Sequence, residues 1–200
     1  MKAGIIGLRM GKAHLVGYLQ NNVEVAGICD IDQSLLTGVQ KEFNIPLATT
    51  DYHKLVAEKS IDLISVASPD YFHKEHCCSA LLAGKHVLCE KPLALNLEDC
   101  IEIIKAVKQS GKKFMIGQVC RFAPGFVLTK EIIDSGEIGE LFFVESEYAH
   151  DYSVAEGAGK WRKDQRRKPF IGGGCHAVDL LRWIAGDPVE VFAYSNHKCL

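Results

Sequence analysis

A lysine set between an acid and a proline, Glu90-Lys91-Pro92, follows the apolar run His86-Val87-Leu88-Cys89. A short apolar run of that kind reads as a buried strand, and open α/β sheets bind ligands at the carboxyl ends of their strands. Further along, after Gly172-Gly173-Gly174-Cys175, His176 and Asp179 stand three residues apart. That spacing puts both on one face of a helix, so both can address one ligand. Lysine, histidine and aspartate exchange protons and bind hydroxyls, which suits chemistry on an alcohol or a ketone.

A second group has the character of an anion site. Gly7-Leu8-Arg9-Met10-Gly11 falls at the first strand-to-helix turn, where glycines let a pyrophosphate approach a helix N-terminus whose amides and dipole favour anions. Asp30 closes the second predicted strand, the position from which an acid receives the adenosine ribose hydroxyls. An acid there repels a 2′-phosphate, so the expected cofactor is NAD rather than NADP. Arg9 stands where the fingerprint has its middle glycine. Three readings stay open: a side chain in solvent, a guanidinium bonded to phosphate, or weakened cofactor binding.

These residues need a scaffold, and the first part of the chain supplies one. Short apolar runs alternate with amphipathic stretches, the βαβ signature of a parallel sheet. The pattern predicts strands at 2–6, 23–29, 63–67, 86–89 and 114–118. It predicts helices at 12–21, 33–43, within 50–57 and at 73–83, and one opened by Asn96 as N-cap and closed by Gly111. After residue 120 the texture changes, with a helix expected at 127–135 and a strand at 141–148. An irregular charged loop at 150–174, a helix at 176–185 and a last strand at 189–195 complete the pattern. The fold class is therefore α/β: an N-terminal Rossmann, doubly wound parallel sheet over 1–120, then the start of a C-terminal α/β open-sheet domain over 121–200. That second part has too few elements to cover its own sheet edges. It is expected either to pair with another subunit, making a homo-oligomer through the C-terminal sheet, or to be the front of a longer protein.

Composition narrows the classes. A net charge of -2 gives no general reason to expect nucleic acid or an anionic membrane as partner. No apolar run approaches the length of a bilayer span or a signal segment, so the cytoplasm is the expected location. The eight cysteines form no C-x-x-C pair, which favours reduced, core-filling thiols over a zinc site. Cys175, beside His176, is read as packing rather than as a nucleophile. His73 and His76 could suggest a metal, but no third ligand is near in sequence, and no metal is expected. His14 is read as a helix-packing residue. The basic run from Lys160 to Lys168 is read as a solvated loop, with a flap meeting an acidic substrate or the cofactor as its alternative.

Taken together, the chain resembles the glucose–fructose oxidoreductase/inositol dehydrogenase (Gfo/Idh/MocA) family. The resemblance is carried by the glycine turn with His14, Asp30, Ser68-Pro69-Asp70-Tyr71-Phe72-His73, Ala83-Gly84-Lys85-His86-Val87-Leu88-Cys89-Glu90-Lys91-Pro92, Arg121-Phe122, Trp161-Arg162 and the run 172–179. It implies an NAD-dependent oxidoreductase that moves hydride between nicotinamide and a sugar-like or polyol substrate. Lys91 and His176 would form the acid–base pair, with Asp179, His150 and Tyr152 on the substrate. Gly7, Leu8, Arg9, Met10, Gly11, Asp30, Ser68, Pro69, His73, Glu90 and Lys91 would lie around the cofactor. Many members carry an aspartate four residues before the histidine; here that position is Gly172. Two rivals share the fold: glycoside cleavage by transient oxidation and elimination, and a non-catalytic dinucleotide-binding protein.

Overall fold

A computed structural model describes residues 1–150 and 164–196. They form two compact units: residues 1–117 with 164–173, and residues 118–150 with 174–196.

The first unit is built on six parallel strands: β1 (Lys2–Ile6), β2 (Glu24–Cys29), β3 (Leu47–Thr49), β4 (Leu63–Val66), β5 (His86–Glu90) and β6 (Phe114–Gly117). Their order is β3-β2-β1-β4-β5-β6, the doubly wound arrangement that reverses direction between β1 and β4. The connections are α1 (Leu8–Gln20), α2 (Gln33–Phe43), α3 (Tyr52–Ala57), α4 (His73–Leu82) and α5 (Leu97–Ser110). Successive side chains of a strand face opposite sides of a sheet, and β1 shows the consequence. Ile5 packs with Leu8, Leu15, Leu36 and Val39 of α1 and α2, whereas Ile6 packs with Val56, Cys77, Leu81 and Ile103 of α3, α4 and α5. Each face is thus sealed by helices. Asp32 and Asn96 cap α2 and α5 through their side chains, and Gly111 ends α5 in the left-handed region.

Several elements differ from the sequence expectation. The sheet has a sixth strand, β3, whose three residues are too few to show a period. α1 begins at Leu8 rather than at residue 12, directly behind Gly7. In the second unit, the segments 141–148 and 189–195 are not strands among the described residues. A strand is defined by its ladder, and among the described residues no ladder runs along either segment; Phe142, Val189 and Tyr194 are fully exposed. The regular elements there are α6 (Pro124–Asp134) and part of α7 (Pro169–Ala185). Among the described residues, no helix is long and apolar enough to cross a membrane.

Candidate active site

The turn between β1 and α1 is tight because Gly7 has φ +88, and a Cβ there would lie 2.5 Å from the Ala67 carbonyl oxygen. A Cβ at Gly11 would meet Ile5 Cγ2 at 2.6 Å, so that glycine lets α1 lie flat on β1. The two glycines are four residues apart, whereas the first and third glycines of the fingerprint are five apart. The turn is therefore one residue short, and Arg9 is a residue of the helix rather than a replaced middle glycine. Its side chain is exposed, with Nη2 3.7 Å from Asp32 Oδ2.

Asp30 ties this turn to the end of β2. Its Oδ2 accepts the Leu8 amide at 2.7 Å and its Oδ1 accepts the Asp32 amide at 2.9 Å. Each carboxylate oxygen keeps a further lone pair for a hydroxyl. The Arg9 and Met10 amides, in the first turn of α1, have no intrahelical acceptor by geometry and present an anion site. Glycines that admit a close approach, N-terminal amides and an acid at the strand end are the groups a dinucleotide needs, and the residues fit it.

Across the sheet reversal, β4 leads into Ser68 and Pro69. Ser68 Oγ is 2.9 Å from His76 Nδ1, and burial pushes the His76 imidazole down to about 4. His73 is buried, with Nδ1 2.7 Å from the Pro92 carbonyl and Nε2 3.0 Å from the Ser68 carbonyl. Burial lowers its pKa, against the pull of those two carbonyls and of Asp70 and Glu90. A neutral ring has one N–H, so only one contact is a donated hydrogen bond, and the shorter one to Pro92 is the better candidate. The side chain expected beside the cofactor thus points into the protein, and so does that of Glu90, which is 8% exposed. Glu90 Oε1 accepts from His14 Nε2 at 2.8 Å and Oε2 from the Lys91 amide at 3.2 Å.

Lys91 begins the loop after β5, at the carboxyl end of the strand. Its Nζ donates to the Gly172 carbonyl at 3.1 Å. The segment expected as a loop up to residue 174 is helical from Pro169, the residue type favoured at a first helical position. Glycine at 172 has a local reason: a Cβ there would stand 2.7 Å from Arg167 Nη2 and 3.3 Å from Asp70 Oδ2. Arg167 and Asp70 form a buried ion pair at 3.3 Å, and Arg166 lies over the Tyr71 ring at 3.8 Å. The described part of the basic run is therefore packed on residues 70–72 and not solvated throughout.

In the second unit, His176 lies seven residues past the start of α7. The helix dipole acts within the first turn, so the expectation that His176 opens its helix is corrected. His176 Nδ1 is 3.5 Å from Cys120 Sγ, and its ring is tilted against Tyr148 with centroids 5.6 Å apart. Asp179 receives a two-pronged bond from Arg121, Nε to Oδ2 at 2.8 Å and Nη2 to Oδ1 at 2.9 Å. The carboxylate expected on substrate hydroxyls is thus already matched in charge, with one lone pair per oxygen still available. His150 packs on Tyr148, centroids 4.3 Å apart; Tyr152 lies outside the described residues. Cys120, Tyr148, Arg167 and the His14 partners are the neighbours that sequence reasoning missed. Only His14 and Tyr18, four apart on one helix face, carried a local signal.

Comparison with known proteins agrees with this architecture. Residues 1–118 match the family described as "Oxidoreductase family, NAD-binding Rossmann fold", and residues 126–198 match "GFO/IDH/MocA C-terminal domain". The inositol 2-dehydrogenase of Salmonella typhimurium is 31% identical over 192 residues, covering 94% of this chain and 55% of that protein. The crystal structure of myo-inositol 2-dehydrogenase from Lactobacillus plantarum superposes with a TM-score of 0.84 at 28% identity, over 92% of this chain and 56% of that one. The scyllo-inositol dehydrogenase of Lactobacillus casei, solved with bound NAD(H) and scyllo-inositol, gives 0.84 at 27% identity, over 92% and 56%. The chain thus spans about half the length of the relatives it matches.

Proposed function

This chain belongs to the GFO/IDH/MocA oxidoreductase family, and on that premise we propose that it is the NAD-binding part of a dehydrogenase acting on the CH–OH group of a polyol or sugar-like substrate. The observation that carries the reading is the placement of Lys91. A buried strand delivers its ammonium to the carboxyl edge of the sheet, where, among the described residues, one donated bond, to a backbone carbonyl, holds it. An ammonium so held has two further N–H groups to offer a substrate oxygen.

In the proposed reaction, the amides of Arg9 and Met10 hold the pyrophosphate and Asp30 the adenosine ribose, while Ser68 and Pro69 border the crevice. NAD, when bound, supplies the hydride acceptor. Lys91 bonds the reacting hydroxyl and favours its ionised form, and His176 takes the hydroxyl proton. Asp179 and His150 contact neighbouring hydroxyls. Glu90 and His73 act from behind Lys91 and Pro92 rather than on the cofactor. The apolar segments of the second unit are proposed to meet further protein in an oligomer.

The test is NADH formation with NAD and a panel containing myo-inositol, scyllo-inositol and simple sugars, together with Lys91→Ala. The parent should turn over at least one polyol. Lys91→Ala should bind NAD normally and lose about 100-fold or more in kcat, the scale of a lost acid–base partner. Unchanged turnover in Lys91→Ala would remove Lys91 from the chemistry.

A further inference from the structure

The Glu90 carboxylate turns inward, and what it meets there forms a continuous row. A carboxylate only accepts, so His14 carries a proton on Nε2, which it donates to Glu90 Oε1 at 2.8 Å. On the other side of the ring, His14 Nδ1 is 2.9 Å from Ser65 Oγ, and the Tyr18 hydroxyl is 2.8 Å from that same oxygen. α1 supplies Tyr18 and His14, β4 supplies Ser65, which has no exposed surface, and β5 supplies Glu90.

The bond directions follow from the donor inventory. With His14 neutral, Tyr18 donates to Ser65, Ser65 to His14 and His14 to Glu90. With His14 protonated, Ser65 turns round and donates to Tyr18, and every contact survives. In both states Glu90 stays an acceptor for the Lys91 amide at 3.2 Å. Burial by itself would raise the Glu90 carboxyl, but the bond and charge of His14, the Lys91 amide and the Lys91 charge more than offset it, leaving its pKa lowered.

We propose that Tyr18, Ser65 and His14, acting through Glu90, are positioning residues for Lys91, holding the backbone from which its ammonium reaches the site. The proposal rests on the acid–base reading of Lys91 given above, but its first readout does not depend on turnover. Among the described residues, the charged and titratable groups tied to this row and to the Lys91 segment are Glu90 from β5, His14 and Tyr18 from α1, and His73 from α4 on the Pro92 carbonyl, while Arg167 and Asp70 lie where a Cβ of Gly172 would stand.

The test uses the full chain and acetic anhydride as probe. The acylation rate of the Lys91 amine at fixed pH is read by peptide mass spectrometry, with exposed Lys113 as internal reference. Glu90→Gln weakens the acceptor that holds the Lys91 amide and should change the Lys91 rate about threefold or more relative to Lys113, because the amine is then held in a different place. His14→Ala should also change that ratio, and His14→Gln, which keeps an N–H for Glu90, should restore it. In turnover, His14→Ala should cost roughly 10–100-fold in kcat with the Kd for NAD unchanged, as for a misplaced catalytic group. The same substitution should have little further effect in the Lys91→Ala chain. A Lys91-to-Lys113 ratio that is the same in the parent, Glu90→Gln and His14→Ala overturns the proposal, as does a change shared equally by both lysines. Normal turnover in Lys91→Ala would instead sink the acid–base reading, and the labelling ratio would still decide the positioning.

Discussion

At the scale of single residues, Asp30 has two duties that mutation can separate. Its carboxylate joins the first turn of α1 to the end of β2, and the same charge is the proposed ribose acceptor and the repellent of a 2′-phosphate. Asp30→Asn keeps an acceptor oxygen but removes the charge. It should weaken NAD by roughly 10–100-fold, the range for a lost hydrogen bond to a charged group, and narrow the gap between NAD and NADP in a fluorescence titration. An Asn variant that discriminates as sharply as the parent would move the selectivity elsewhere. His76 makes a second prediction. Its folded pKa, about 4, is below its ordinary 6.5 because of burial, so as pH falls the unfolded chain takes up the proton first. The stability contribution is whole above pH 6.5 and drains between 6.5 and about 4. It amounts to something on the order of 3 kcal/mol when fully lost. His73, whose pKa is also depressed, acts in the same direction. Urea midpoints taken from about pH 7.5 down to about 4.5 should fall steeply in the parent and less steeply in His76→Gln; parallel curves would exclude His76 as the cause.

At the scale of elements, α7 shows how a glycine run can be helical. Glycine costs about 1 kcal/mol against alanine inside a helix, yet Gly172 leaves room for a buried ion pair that a side chain would crowd. A carboxylate placed there would meet Arg167 and sit beside Asp70, two like charges sharing one guanidinium. Gly172→Asp should therefore destabilise the fold, by about 2–3 kcal/mol if Asp70 loses its partner in part. Asp70→Asn in the same chain should recover much of that loss in urea unfolding. A Gly172→Asp chain as stable as the parent would show that Arg167 can leave without consequence. The β1–α1 turn makes the complementary point. Its glycines are legible as a cofactor turn, but that the turn is one residue short, with Arg9 already in the helix, emerges only from where the helix begins.

At the scale of the molecule, burial is uneven. The buried apolar side chains of the first unit form two clusters, one on each face of the sheet. In the second unit α6 buries none, and Phe143, Val191 and Phe192 are largely exposed. Hydrogen exchange should therefore find the amides of β1, β2, β4 and β5 protected at the level of global unfolding. α6 and the segments 141–150 and 189–196 should open at much lower free energy. That difference belongs to the dilute chain: protection of the second unit that rises with chain concentration is what the proposed assembly requires, and equal protection in both units at every concentration would overturn the uneven-burial reading.

By itself the sequence determined the alternation of strands and helices, the two cofactor signals at Gly7 and Asp30, and the place of Lys91 at a strand end. Each of these is written in neighbouring residues, as a period, a cap or a turn former. The third strand was too short to show a period. The two segments read as strands in the second unit had the right alternation, but pairing depends on a partner that alternation does not specify. Tertiary structure alone decided what stands behind Lys91. His14 reads locally as a helix-packing residue of α1, and becomes a partner of Glu90 only because β1, β4 and β5 are neighbours in the sheet. Arg167 reads as one charge of a solvated run, and is buried because Asp70, far away in sequence, is a charge that cannot stand unpaired in a protein interior.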